Sequence, residues 1–466
     1  MALKKKWKPS KKVGKVRPER LHKKKKLSKG KKRTRITLRK RLLRKRNARK
    51  LRRRRASKRK ALNILYIVHS FYPETYTGTE KFVFNLARSM QSKGHRVKII
   101  TYSSGVPESY SHVMGNILYR EFEYEGLPVL AYRHQHIDPA QSFEIGDKDL
   151  TLFTKKVISK EKPNLIHIGH PMRAMEFLQT SKRYGIKYIV TLTDFWFICP
   201  TGMLLQKSQA LCTGPDLGKN CLLHCQIPKV KQRLATHIPL LRGASRIFSP
   251  SASLANIVSS NLPDLHVEVL NHGMNYETIR VNERVYQPGD SLTLFYGGSL
   301  NTHKGVHLIL QAMAMIPSDR LTLKIYGSGP AEYTQLLEQA ALSDDRISFC
   351  GLYTENDIPQ IYQDADIAVV PSIWYENYPL ALHEALVSQV PALVSDIGGM
   401  AEKVQDGFNG FTFRVGDAEH LAQRILTILD NPTLLNEFKA NMKQVLIPSI
   451  EQEAEAYEGI YYSLVQ

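Results

Sequence analysis

Long apolar runs are missing from this 466-residue chain: no stretch approaches the roughly 20 residues that span a bilayer, and the N-terminus lacks the apolar core of a secretory signal. Both absences predict a protein of the cytoplasmic side. Cysteine is scarce and odd in number, five in all, which argues against a disulfide framework and for reduced thiols or a metal site. Acidic residues are nearly absent from residues 1–60, where Glu19 alone faces 33 Lys and Arg. Such a segment cannot bury a core, because its charges repel and only Trp7, Val13, Val16, Ile36 and scattered leucines offer apolar surface. It is expected to be a disordered polybasic tail. Over 37–56 the leucines 38, 42, 43 and 51 make a partial stripe, so a helix there would need an anionic surface to neutralise it. Outside the tail 34 basic residues meet 41 acidic ones, a net charge of −7. The basic balance of the whole chain therefore says nothing about a site in its folded body.

From Ala61 short apolar runs alternate with amphipathic stretches, the pattern of repeated βα units around a parallel sheet. A first series predicts strands at 62–69, 96–102, 165–168, 188–192, 246–249 and 267–270, with helices at 79–92, 172–184 and 251–260. A second predicts strands at 292–296, 321–326, 347–349, 367–370, 392–395 and 411–413, with helices at 306–315, 331–341, 379–387 and 418–429. The polar stretch 271–290 separates them. Two doubly wound α/β domains facing across a cleft place ligands at the carboxyl ends of their strands, so the chemistry is sought in the loops that follow strands.

In the second series the strand ending at Tyr296 runs into Gly297-Gly298-Ser299-Leu300, and Lys304-Gly305 opens the next helix. Glycines let a backbone approach a ligand closely, and a lysine beside a helix N-terminus reinforces a site that favours anions. Taken alone, the same residues read as a tight turn with a solvated lysine. Tyr326-Gly327-Ser328-Gly329-Pro330 repeats the arrangement after the next strand. The most informative segment runs from Pro371 to Ala385, where Glu376 lies in a loop and Glu384 falls in the second turn of a helix opened by Pro379. Two carboxylates so placed can grip different ends of an extended polar ligand, while the amides of Asn377 and Tyr378 point at a phosphate.

Glu376-x7-Glu384, Gly298-x5-Lys304-Gly305, Gly327-x-Gly329-Pro330 and Gly398-Gly399 together resemble the retaining nucleotide-sugar glycosyltransferases of family 4, which have the GT-B fold. The resemblance runs from Ala61 essentially to the C-terminus. It implies an acceptor-side Rossmann-like domain over 61–275 and a nucleotide-sugar-binding one over 276–445. It also implies a C-terminal helix within 446–466 that packs back on the first domain. The lysine matching Lys304 binds the donor diphosphate, the glutamate matching Glu384 holds the ribose hydroxyls, and the one matching Glu376 contacts the transferred sugar. Many members carry Arg where this chain has Ser299, so Lys304 and the Asn377 and Tyr378 amides would offset more of the leaving-group charge.

On the acceptor side, Thr77-Gly78-Thr79-Glu80 resembles the family's glycine loop with its pair of glycines reduced to Gly78; a simple helix cap explains the same residues. His167 and His170 flank the end of a strand, and His170, the further along, is the match for a family histidine that contacts the donor sugar. Thr193-Asp194-Phe195-Trp196 resembles a His-Asp-aromatic motif with Thr193 in place of the His, which leaves Asp194 as its acceptor-side acid. The catalytic residues expected are Glu376, Lys304 and His170.

Cys199, Cys212, Cys221 and Cys225 cluster in an insertion between Asp194 and Lys229. Four thiolates in a short Gly- and Pro-containing loop could fold around a tetrahedral structural Zn²⁺, with His224 able to replace one of them. An iron–sulfur cluster uses the same ligands, and four ordinary thiols fit the same spacing. Cys350 stands apart after a strand, as a packing residue.

The reading that follows is a cytoplasmic enzyme, peripheral on the membrane face. It would pass a sugar from a nucleoside diphosphate sugar to a hydroxyl acceptor, such as a lipid-linked one, in cell-envelope polysaccharide or glycolipid synthesis. No metal cofactor is expected in catalysis. The tail would meet an anionic membrane, with nucleic acid its competitor. The alternative is a non-catalytic sugar-nucleotide-binding or scaffolding protein on the same fold, with the tail on nucleic acid.

Overall fold

The computed structural model describes residues 60–136 and 146–465; the expectations for the tail, including a helix over 37–56, lie outside them. Two sheets organise the chain. The first contains β1 (Asn63–Val68), β2 (Arg96–Tyr102), β3 (His112–Met114), β4 (Ile117–Tyr124), β5 (Leu127–His134), β6 (Leu165–Ile168), β7 (Tyr188–Thr191), β8 (Arg246–Ser249) and β9 (Glu268–Val269), in the order β3-β4-β5-β2-β1-β6-β7-β8-β9. The second contains β10 (Leu292–Gly297), β11 (Leu321–Tyr326), β12 (Ile347–Gly351), β13 (Ile367–Val370), β14 (Ala392–Ser395) and β15 (Gly410–Phe413), in the order β12-β11-β10-β13-β14-β15. Every pairing in the second sheet is parallel.

The first sheet departs from expectation at one edge, where β3, β4 and β5 form an antiparallel meander that the search for βα units passes over. Its turn, Glu125-Gly126, has both residues at positive φ, the backbone that a two-residue hairpin needs to match strand twist. Helices Lys148–Glu161 and Val230–Arg242 are likewise additions to the first series.

Helices cover the sheets because their apolar stripes have nowhere else to go. The helix Gly78–Ser92 buries Phe82, Val83, Leu86, Ala87 and Met90, positions at the three- and four-residue spacing of one helical face. Its neighbour in space is the last helix, Ile450–Val465, whose Ala454, Tyr457, Tyr461 and Tyr462 join the core beneath β1. The chain crosses between the halves twice at one place: Met274 N–H donates to Pro448 O at 2.9 Å, and Ile450 N–H donates to Met274 O at 3.2 Å. The C-terminal helix is thus part of the first half's core.

Strand order reverses direction at β1/β6 in the first sheet and at β10/β13 in the second. Such switch points open a crevice beyond the strand ends, where ligands bind. The loops leaving these four strands carry His69 to Glu80, Gly169-His170, Gly298 to Gly305 and Pro371 to Pro379. The topology therefore selects the same loops that the residue chemistry does.

Candidate active site

On the second sheet, close backbone approach holds the loops in register. Gly327 has φ +139°, and a Cβ there would fall 1.8 Å from Gly298 O; Gly305 has φ +73°, and a Cβ there would fall 2.0 Å from Pro371 O. Neither position accepts a side chain, so glycine locks the loop after β11 onto that after β10, and the latter onto the loop after β13. Gly329 rests likewise on Leu300 O. Ser299 is exposed, its carbonyl accepting from Tyr296 Oη at 2.8 Å.

At the centre lies Glu376, 6% exposed. Its Oε1 accepts from Lys304 Nζ at 2.6 Å, Ser372 Oγ at 2.7 Å and Trp374 Nε1 at 2.9 Å. Burial works against the charge on this carboxyl, yet the Lys304 ammonium and the three donors outweigh it and hold the group below the usual carboxylate range. Lys304 also lies 5.2 Å from the Trp374 ring centroid, a cation–π contact. Burial first, then the Lys304 charge, push His303 down to about 4. Gly399 N–H donates to Glu376 O at 2.6 Å, so the Gly398-Gly399 turn supports the glutamate's backbone.

The helix carrying Glu384 is Leu380–Val387, opening one residue after Pro379. Glu384 is buried, accepts from Tyr362 Oη at 3.3 Å, and pairs with Lys81 Nζ at 3.2 Å. Lys81 belongs to the first half and pairs equally with Glu355 at 3.2 Å. Burial opposes its charge, but the two glutamates outweigh that and hold the ammonium above the usual lysine range. Beside this bridge a cleft opens between the halves, lined in part by Lys81, His272, Met274, Asn275, Leu380 and Glu384. Asn377 and Tyr378 also reach across: Asn377 Nδ2 donates to Thr193 O at 2.8 Å, and Tyr378 Oη to His272 O at 2.9 Å.

Facing them, His170 Nε2 is 2.9 Å from Asp194 Oδ2, while the Met172 N–H donates to His170 Nδ1 at 3.2 Å. A ring nitrogen that accepts a backbone N–H carries no proton, so the Nε2 proton faces Asp194. Asp194 Oδ1 accepts from Trp196 N at 2.8 Å. The His69 ring lies 4.1 Å from that of His170, and burial above all holds His69 well below the usual histidine range. His167 is fully buried between Tyr461 Oη and Thr191 Oγ1 and belongs to the core. Gly78 is exposed and stands opposite Leu380. Glu80 is not open to an acceptor: its fully buried carboxylate closes a capping box with Thr77 and accepts from Ser70 Oγ at 2.5 Å. The same residues thus hold the helix N-terminus in place.

Two family models tile this architecture. "Glycosyltransferase Family 4" matches residues 76–278, and "Glycosyl transferases group 1" matches 280–445. The chain belongs to the GT-B glycosyltransferases. Sucrose-phosphate synthase of Thermosynechococcus elongatus superposes with a TM-score of 0.65 at 19% identity, covering 86% of this enzyme and 98% of that chain. Anabaena HepE in complex with UDP-glucose gives 0.60 at 16%, covering 86% and 100%. Among curated relatives, the O-antigen chain mannosyltransferase C of Escherichia coli is 21% identical over 413 residues, 87% of this enzyme and 99% of its own length.

The structure thus brings Lys304 and Glu376 into direct contact, Glu384 and Asn377 to the boundary between the halves, and His170 to Asp194. Sequence reasoning missed Lys81, Ser372 and Trp374. Trp374 and Ser372 sit inside the segment already singled out, two and four residues before Glu376, whereas nothing local marks Lys81. Among the described residues no helix of the enzyme is long and apolar enough to cross a membrane.

The insertion after Asp194 places Cys199, Cys212, Cys221 and Cys225 around one small cavity. His224 is exposed and does not line it. As the thiols stand, no three potential ligands among the described residues are gathered into a metal-binding group. Cys350 corrects its assignment as a packing residue, being exposed on the edge strand β12.

Proposed function

We propose that this enzyme transfers a sugar from a nucleoside diphosphate sugar to a hydroxyl acceptor with retained anomeric configuration, in the assembly of a polysaccharide or glycolipid. The observation that carries the reading is the Lys304–Glu376 pair, with a buried, ionised carboxylate at the mouth of a glycine-walled switch point. An ionised Glu376 accepts from sugar hydroxyls, and Lys304 stands ready to take the charge of a diphosphate as it leaves. In the transfer, the bond from the anomeric carbon to the diphosphate oxygen breaks and a bond to the acceptor oxygen forms on the same face. The acceptor's proton passes to a diphosphate oxygen, so no separate general base is required. The protein's part is preorganised charge stabilisation in a closed cleft. Glu384 would hold the ribose once Lys81 releases it.

The relatives' names support the acceptor class, and include an O-antigen chain mannosyltransferase and a lipopolysaccharide 1,2-N-acetylglucosaminetransferase. Residues 1–60 would then hold the enzyme at anionic lipid, each Lys or Arg near the surface contributing about 1 kcal/mol. Trp7 is the tail's one aromatic residue, which disfavours nucleic-acid stacking. Binding to anionic vesicles should exceed binding to RNA at matched salt; equal binding would mark a nonspecific polycation.

The test is a thermal-shift panel of UDP, GDP, ADP and their sugar conjugates on the full chain. One nucleotide should give a shift that Glu384→Ala abolishes. A shift that survives Glu384→Ala would come from the tail, and a folded enzyme with no selective shift would remove the donor assignment.

A further inference from the structure

The four-cysteine insertion lies outside the chemistry above, and we propose that Cys199, Cys212, Cys221 and Cys225 are the ligands of one tetrahedral structural Zn²⁺. The sulfurs come from three local elements and converge on a single cavity. Cys199 follows β7. Cys212 ends a small hairpin closed by the Leu205–Leu211 bridge, its N–H donating to Leu204 O at 2.8 Å. Cys221 and Cys225 lie on the helix Lys219–Cys225, four residues apart and so on one face. All five cysteines of the chain are unpaired. The thiols line the cavity without closing into a metal shell, but each sulfur is one rotatable bond from its backbone. A change of staggered χ1 re-aims it, and Zn–S bonds of about 2.3 Å would draw the four sulfurs together.

An independent observation is where backbone strain collects. Of the ten non-glycine residues at positive φ among the described residues, six fall in this insertion: Leu204, Gln209, Asp216, Leu217, Gln226 and Lys229. Such conformations persist only where the surroundings over-determine them. Packing here is uneven: Cys199 and Cys212 belong to the main core of the first half, whereas the separate cluster around Cys221 adds only Val230 and Leu234 as further buried members and leaves Leu217, Leu222 and Leu223 exposed. A metal ion would tie the thin Cys221 side to that core. On binding, Zn²⁺ forms four bonds to sulfur while four thiol protons leave to solvent, giving a centre of charge −2. Arg233 provides the compensating cation: it is buried, donates to Phe197 O at 3.3 Å and to Trp196 O, and interacts electrostatically with Cys199 and Cys221.

The centre would also brace the acceptor side. Gly202, three residues beyond Cys199, accepts from Phe195 N–H at 3.0 Å and abuts the Asp194 carboxylate.

The experiment is elemental analysis of untagged full-length protein, purified with reductant and without chelator, followed by stepwise titration with an organomercurial. About one zinc per chain is expected, released as about four thiols react. Cys212→Ser and Cys221→Ser should isolate without zinc, and Cys350→Ser should keep it. Cobalt exchange should give the intense visible bands of tetrahedral thiolate ligation. Protein that isolates metal-free and takes up no zinc after reduction overturns the proposal. So does zinc that survives Cys212→Ser and Cys221→Ser, a brown iron–sulfur chromophore, or a thiol count showing disulfides. The wild-type measurement decides the matter even if a serine variant fails to fold.

Discussion

Replacing Lys304 by Met should convert Glu376 from a stabilised carboxylate into a burden whose size depends on pH. In the wild-type enzyme the 2.6 Å pair places the ammonium against a carboxylate that is 6% exposed. Removing one partner of a buried pair costs about 3–5 kcal/mol, because the other charge stays behind without compensation. Ser372 Oγ and Trp374 Nε1 still donate to Glu376, so the lower end applies, about 3 kcal/mol. If the second half unfolds as a unit, that corresponds to a fall in Tm of roughly 6–12 °C at neutral pH.

The sign of the pH dependence separates this mechanism from simple loss of packing. Wild-type Glu376 is held below its unfolded value. Its contribution is therefore present above the unfolded pKa and is lost as pH falls through the lower folded value. In Lys304→Met burial dominates and the folded value rises. The carboxyl then protonates at higher pH, and the penalty shrinks as the solution is acidified. Differential scanning calorimetry of both proteins from about pH 8 down to about pH 4.5 should show Tm curves that converge on the acid side. The double variant Lys304→Met/Glu376→Gln should recover part of the neutral-pH loss. Parallel curves, or a double variant less stable than Lys304→Met, would refute the argument.

Three further outcomes follow from other parts of the molecule. Gly327→Ala must place a methyl group 1.8 Å from Gly298 O at φ +139°, so it should cost more than about 1 kcal/mol and abolish the nucleotide-induced thermal shift; an unchanged shift would show that the two loops do not need their register. Lys81→Met removes the competitor for Glu384 and leaves that buried carboxylate without its cation, so isothermal titration should find the selected nucleotide bound more tightly; weaker binding would mean that Lys81 itself holds the ligand. His167 is held at about 3 by burial, with the charge of His272 adding to it. Its stabilisation is therefore full above about pH 6.5 and is lost at about 1.4 kcal/mol per pH unit as pH falls toward the folded value. The deficit of His167→Gln against wild type should narrow between pH 7.5 and pH 5, and a constant deficit would count against the depressed value.

The second sheet was legible because parallel strands covered on both faces read as apolar runs, and β10, β11, β13 and β14 have few exposed positions. The meander β3–β5 was not. Ile117–Tyr124 exposes Glu121 and Glu123 on one face and carries the half-buried Arg120 on the other, so it reads as polar loop unless its Glu125-Gly126 turn is weighed as a hairpin signal. The helix Lys148–Glu161 has Asp147 as its cap and Leu150, Phe153, Val157 and Ile158 at helical spacing; its pattern is present in the sequence but follows the meander and not a strand of the parallel series.

The same distinction runs through the site. Glycine spacing announces the loops of the second half because the requirement at Gly305 and Gly327 is local: a backbone atom occupies the space where a side chain would stand. The Lys304–Glu376 pair joins residues 72 apart, but both lie on loops leaving neighbouring strands of one sheet, so topology brings them together once the strand order is known. Lys81 meets Glu384 across 303 residues and between two separately built sheets. No periodicity or motif encodes that contact, because it depends on how far the halves close and not on how either one folds. A residue whose partner is set by closure is also one whose partner a ligand can replace, which is why the least legible side chain of the site is the one through which donor binding and closure would be coupled.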